Sequence, residues 1–267
     1  MPSKLKLQLK RRMLKNLVIV QNNSKINFIS KSITHINNMM KWNNKFNYPK
    51  SSRSNEDGYR KYLFGDKKLP SVTSILSATK SEEDKASLEL WKQRVGYKEA
   101  NRIKTEASSR GSSMHSYIED YLKGRVNESF FESNEQYKIM AKEIIEKGIK
   151  GKLEEIYGIE ETVFYPEKYA GTADLIGKFM GQEVCIDFKQ SNKPKKSDYI
   201  QDYFLQLGAY TLAHDVVHGT KMKAGVILLC TVDNLYQEFK IEGAELEMYQ
   251  NLFLGRVKKF YEMSNTS

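Results

Sequence analysis

The sequence predicts an α/β protein in which a mixed sheet fills the C-terminal half and a mainly helical half precedes it. Three observations carry this. Residues 159–189 hold three strand-like stretches in succession, "IEETVFYP", "AGTADLIGKF" and "EVCIDFK". A helix-length segment, 197–217, then separates them from two further strands, "AGVILLCTV" and "LYQEFKI". Upstream, apolar residues recur mostly at helical spacing. Strands, a helix and more strands, flanked by helices, are the pattern of a layered α/β core.

The elements follow in order. Residues 1–55 are rich in Asn, Ser and Lys, show no sustained period, and are expected to form a basic, flexible arm. Residues 56–158 are expected to form the mainly helical part, and 159–267 the core. "YRKYLFGDKKLP" (59–70) suggests a hairpin around Gly65-Asp66, and Ser71 can cap a helix over "VTSILSAT". A charged helix is expected from Glu82 to Asn101, with Leu88, Trp91 and Val95 on one face. Another should run from Ser112 to Leu122, and residues 134–158 should complete the helical half. Gly171 and Gly181 mark bends between strands. A last amphipathic helix, from Ala244 to about Met263, turns Leu246, Tyr249, Phe253, Val257 and Phe260 inward.

Charge and composition limit the function classes. Of the 43 basic residues, twelve precede residue 56, ahead of the first acid; the other 31 face 33 acids. The net charge of +10 therefore belongs to the arm, and pI alone does not argue for nucleic-acid binding by the rest. The arm lacks acids, which also fits a targeting peptide, and Met39 or Met40 is an alternative start. The longest apolar run, "AGVILLC", has strand length, well short of the roughly 18 to 20 residues of a membrane span. Two cysteines, Cys185 and Cys230, read as core thiols of a reducing compartment and are too few for a four-cysteine zinc or iron–sulfur site.

The chemistry gathers around "CIDFK". If Met180 and Gly181 form a two-residue turn, Phe179 faces Gln182 and Asp174 falls opposite Asp187, on one face and roughly 5 Å apart at Cβ. Lys189 lies two residues further along that face. Two carboxylates held so close repel, and a divalent cation removes the conflict. An isolated D-x-K is more often a surface ion pair; a second acid in register argues for a site. Gln206 and Tyr210 lie four apart on one helical face and could pack against the acid-bearing strands, or be an exposed amide and a core tyrosine. His115 shares a helical face with Glu119, where a lone histidine is commonly structural. Gly111-Ser112-Ser113 at a helix start could meet a phosphate.

Taken together, "GTAD", "IDFK" and "QLGAY" resemble the RecB-like branch of the PD-(D/E)xK (restriction-endonuclease-like) nucleases. "LPSVTSIL", "LELWKQRVG" and "RGSSMHSYIEDYL" extend that resemblance to the mitochondrial genome maintenance exonucleases and their bacteriophage relatives, over roughly residues 58 to 262. The resemblance implies a catalytic set of Asp174, Asp187, Lys189, Gln206 and Tyr210. Metal ligands would be His115, Asp174, Asp187 and the backbone carbonyl of Phe188, with Glu161, or its neighbour Glu160, as a further acid. It implies Mg2+ or Mn2+ as cofactor, no iron–sulfur cluster, and exonucleolytic hydrolysis of single-stranded DNA. Arg110, Ser112, Ser113, Trp91 and Arg94 are expected strand contacts, although Trp91 also suits a core position. A structure-specific endonuclease and a catalytically silent DNA-binding subunit are the alternatives. The short Asn- and Lys-rich chain suggests a phage enzyme in host cytoplasm, with the mitochondrial matrix as the other location.

Overall fold

A computed structural model describes residues 41–56, 58–126 and 135–265. Expectations for residues 1–40, including targeting and late-start readings, lie outside the described residues. The main sheet has six strands in the order β1 (Lys41–Trp42), β5 (Leu153–Tyr165), β6 (Tyr169–Phe179), β7 (Gln182–Ser191), β8 (Ala224–Thr231) and β9 (Tyr236–Glu242). It is mixed: β1 runs parallel to β5 and β7 parallel to β8, and the remaining neighbours are antiparallel. A second sheet joins β2 (Ser52–Glu56), β3 (Tyr59–Phe64) and β4 (Lys67–Pro70). Six α-helices are described: α1 (Val72–Ala78), α2 (Glu82–Val95), α3 (Tyr97–Leu122), α4 (Gln136–Ile144), α5 (Gln201–His218) and α6 (Ala244–Asn265). None is long and apolar enough to cross a membrane.

The α/β class follows from where the apolar faces go. α5 supplies the crossover that the parallel β7–β8 pair requires. Its Phe204, Leu207 and Tyr210 join Leu246, Tyr249, Phe253 and Val257 of α6 in one core with Ile176, Cys185, Ile227 and Leu229 of the sheet. Gly208 lets the two helices approach: a Cβ there would lie 2.8 Å from the Tyr249 backbone. α3 packs on β7 and α4 on β8, burying Met114, Ile118, Leu122, Met140 and Ile144. Cys185 and Cys230 are buried and free, as core thiols.

Several expected bounds move. Residues 41–55, assigned to the flexible arm, contain β1 and all but the last residue of β2. Phe46 packs edge-on against His214 at 4.7 Å and the Tyr48 hydroxyl meets His214 Nε2 at 3.1 Å, so burial of aromatics fixes a segment that looks polar in composition. The helix expected to reach Asn101 breaks at Gly96, whose φ of 87° ends α2. α2 buries none of its residues, so Leu88, Trp91 and Val95 do not form a core stripe. The helical reading of 134–158 holds only to a π-helical turn at Ile145–Ile149. Gly151, at φ 72°, then turns the chain into β5, whose burial outweighs the helix propensity of "KLEEI". Ser71 caps α1 as expected, its side chain accepting from the Ser74 amide.

Candidate active site

The hairpin of β6 and β7 takes the register read from sequence, with Phe179 paired to Gln182 and Leu175 to Ile186. Met180 and Gly181 both adopt positive φ, 47° and 80°, as a type I′ turn requires, although methionine is a poor choice for it. Pairing ends at Leu175–Ile186, one step before the acids. There the Phe188 amide donates to Asp174 Oδ2 at 2.8 Å instead of to a strand carbonyl. Asp174 and Asp187 line the same cleft, of about 470 Å³, together with Lys189, Gln206, Tyr210, His115 and Ser112.

The third acid in this cleft is Glu160. The pairs Ile159–Leu175 and Glu161–Ala173 place Glu160 opposite Asp174, and its φ of 55° departs from regular strand geometry. Ligand atoms of His115, Glu160 and Asp174 all lie within 4.8 Å of one another. Glu161, the expected strand acid, alternates to the other face and lines a neighbouring groove with Trp42 and Tyr48. Period-2 alternation would have chosen Glu160 only with the β5–β6 register in hand.

The electrostatics fit a cation. Burial, then the neighbouring Asp174, pushes Glu160 up to about 7. Burial and the charge of Asp187 raise Asp174 as well, against the pull of Lys189 and the Phe188 amide. Burial lowers His115, which favours a neutral imidazole able to act as ligand; its Nδ1 lies 3.4 Å from Asp174 Oδ2. The Phe188 backbone also acts on His115 and favours its protonated form, as a carbonyl acceptor does. Both Asp187 oxygens are buried; Oδ2 meets the Lys189 ammonium, and Oδ1 has no hydrogen bond among the described residues. Oxygen-rich donors with orphaned lone pairs and a neutral imidazole suit a divalent ion such as magnesium or manganese.

Lys189 is held from the other side. Its Nζ donates to Gln206 Oε1 at 3.2 Å, and Gln206 Nε2 donates to the Tyr210 hydroxyl at 2.9 Å. The ammonium also stands 4.9 Å from the Tyr203 ring centre. Burial works against its charge, but Asp187 and Asp174 outweigh that and raise its pKa above the usual lysine value. Gly171 explains how Tyr210 fits. It marks no bend; it lies within β6, where a Cβ would come within 2.4 Å of Tyr210 Cε1.

The expected strand contacts fare less well. Gly111, Ser112 and Ser113 lie inside the 26-residue α3, so they offer no free helix-start amides. Ser112 lines the cleft; Ser113 does not. Arg110 bonds to Gln190 Oε1 at 2.9 Å and to Asn192, beside the cleft. Trp91 and Arg94 sit on α2, outside its lining. Arg53, Arg60, Tyr62 and Thr172, none of them singled out in sequence, do line it.

An α/β fold carrying this acid–lysine cleft belongs to a chain similar in sequence to exonucleases, although no family model matches it. The relatives are mitochondrial genome maintenance exonuclease 1 from human, frog and mouse. The human protein is 27% identical over 211 residues, covering 73% of this chain and 58% of that one. The Xenopus tropicalis protein is 30% identical over 181 residues, covering 62% and 49%, and the Mus musculus protein 30% over 178, covering 62% and 50%. The chain thus spans about half the length of the curated relatives it matches. The resemblance read from short motifs therefore extends to most of the chain. Two solved structures also align: SSO0001, with a TM-score of 0.34 and 16% identity over 64% of this chain and 70% of that one, and a candidate exonuclease from Eubacterium rectale, with 0.39 and 12% over 59% and 68%.

Proposed function

We propose that this protein is a metal-dependent exonuclease with a PD-(D/E)xK core that hydrolyses phosphodiester bonds of single-stranded DNA. The observation that carries the reading is the convergence of His115, Glu160 and Asp174 beside a buried Asp187 whose Oδ2 meets Lys189 and whose Oδ1 has no hydrogen bond among the described residues. Those four residues would hold Mg2+ or Mn2+, with the Phe188 carbonyl nearby. When bound, the ion supplies Lewis-acid activation of water and neutralises charge on the phosphoryl oxygens. Lys189, ion-paired to Asp187 and held by Gln206, presents an ammonium donor where a phosphate oxygen gains charge. Tyr210 fixes the Gln206 amide, and burial, with Asp187 adding to it, keeps its phenol protonated. The domain reading that fits is a core from about β5 onward, with α1 and α3 as the helices that line the cleft. The names of the relatives favour the mitochondrial alternative over phage-infected cytoplasm, and a role in genome maintenance.

The test is cleavage of 5′-tailed, 3′-tailed and circular single strands by purified protein with Mg2+ or Mn2+. Tailed strands should shorten, the circle should survive, and EDTA should stop the reaction. A nicked circle would instead identify an endonuclease, and undiminished cleavage by Lys189→Ala would refute the assigned chemistry.

A further inference from the structure

The small sheet β2–β3–β4 presents two arginines to the cleft, and neither has an assigned role. Strand alternation sorts β3: Arg60 and Tyr62 face the cleft, whereas Tyr59 and Lys61 line a separate groove against Phe260. Arg53 pairs with Tyr62 across β2 and β3, so it joins the same face. Its guanidinium donates to Thr172 Oγ1 at 2.8 Å and lies 5.5 Å from the Tyr62 ring centre. The Tyr62 hydroxyl meets the same Thr172 oxygen at 2.9 Å. Thr172 is two residues before Asp174 on β6, so this anchor sits about 7 Å along one face from the acid cluster.

The charge on this wall is held in no direct ion pair among the described residues, although Arg53 is near enough to Glu160 to lower its pKa. Most lysines and arginines near it pair with acids, as Lys61 and Lys68 do with Glu56. Among the described residues, neither Arg53 nor Arg60 has a carboxylate partner in an ion pair, although four acids line the cleft, of which Glu119 pairs with Lys123 and Asp187 with Lys189. A guanidinium offers five donors, and the bond to Thr172 leaves most of those on Arg53 open to solvent. A polyanion approaching a cleft lined by carboxylates needs positive charge close by, and planar guanidinium forks match phosphate oxygens.

We propose that Arg53 and Arg60 form a phosphate rail, binding backbone phosphates next to the scissile one so that the small sheet sets where the strand lies over the acids. This rests on the nuclease reading and extends it to substrate positioning. Both are positioning residues. Thr172 and Tyr62 lock Arg53 in place, while Arg60 stands exposed at the rim.

Two measurements separate this proposal from the reading beneath it. Cleavage by the unaltered protein with Mg2+ or Mn2+ tests the nuclease function. Binding of a labelled single-stranded oligonucleotide in EDTA, across a salt series, tests the rail even if no cleavage occurs. Each phosphate that a variant no longer neutralises should flatten the slope of log affinity against log salt by about 0.7, so Arg53→Gln/Arg60→Gln should flatten it by about 1.4. KM should rise about tenfold or more in the double variant, with kcat changed far less. Arg53→Lys and Arg60→Lys should restore the salt slope, because charge returns without the fork, and they guard against a folding defect at Thr172. Lys67→Gln, on exposed β4 outside the cleft, should match the unaltered protein. An unchanged slope and KM in the double variant, or a fall in kcat alone, would overturn the proposal.

Discussion

Replacing Asp174 by asparagine should stabilise the metal-free protein while abolishing its activity. The Phe188 amide can donate to the carboxamide oxygen of the new side chain as it does to Asp174 Oδ2, so the backbone anchor survives. What disappears is repulsion. Two unit charges about 5 Å apart at an effective dielectric near 20 repel by about 3 kcal/mol. Lys189 offsets part of this, since it lowers the Asp174 pKa while burial and Asp187 raise it. A net gain of about 1 to 3 kcal/mol is expected, or roughly 2 to 10 °C in melting temperature for a chain of this size. The sign depends on pH. The carboxyl titrates above its ordinary value of 3.8 in the fold, so the folded state holds the extra proton at low pH and loses that advantage as pH rises. The gain should therefore be near its maximum at pH 8 and small at pH 5. Thermal melts in EDTA at both values measure it, beside a cleavage assay expected to fall at least about a hundredfold. A variant that melts no higher than the parent at pH 8, or gains equally at both values, would refute the frustrated-pair account.

Four further outcomes follow from the same geometry. Saturating Mg2+ or Mn2+ should raise the melting temperature by the equivalent of about 3 kcal/mol at a hundred times Kd, and by more at pH 8 than at pH 6, because the ion displaces protons from Asp174 and from Glu160, held up to about 7. Gln206→Ala removes the Lys189 acceptor, and kcat should fall roughly ten- to a hundredfold with KM little changed in steady-state assays. Gly171→Ala forces a Cβ into the Tyr210 ring; chemical denaturation should show a loss of about 1 to 3 kcal/mol, with activity falling in parallel. Glu160→Gln should weaken metal binding in calorimetry, whereas Glu161→Gln should leave it unchanged.

The sequence was legible where local geometry and hydrophobic pattern agree. The two-residue turn at 180–181 fixes the β6–β7 register, and with it the opposition of Asp174 and Asp187. The four-residue spacing of Gln206 and Tyr210 fixes a shared helical face, which the hydrogen bond between them uses. Lys189 could be placed on that side of the sheet by alternation alone. The failures arose where tertiary packing overrode local preference. "KLEEI" has helical composition, but β5 lies between β1 and β6 and takes the strand form. Ser112 and Ser113 looked like a helix start because Gly111 precedes them, yet the break falls at Gly96 and α3 runs straight through.

The choice between Glu160 and Glu161 shows what a sequence read in isolation lacks. Either acid can face the cleft until β5 is paired with β6, because a one-residue slip exchanges the faces of a strand. Their register depends on a turn around Glu167, itself at φ 63°, and on irregular pairing between Leu153 and Gly158. Once Ile159 is set against Leu175, Glu160 faces Asp174, and its positive φ departs from the strand where ligand atoms converge. That unusual backbone, at a non-glycine residue beside three other polar groups, is the kind of strain a fold retains for a site rather than for stability. The same logic separates the two arginines of the small sheet from its lysines. Lys61 and Lys68 pair with Glu56, while Arg53 and Arg60 turn toward the acids with no direct ion pair among the described residues. A fold optimised only for stability would not gather four carboxylates and two guanidinium groups without direct ion pairs among the described residues around one cleft; a cation and a polyanion together resolve both conflicts.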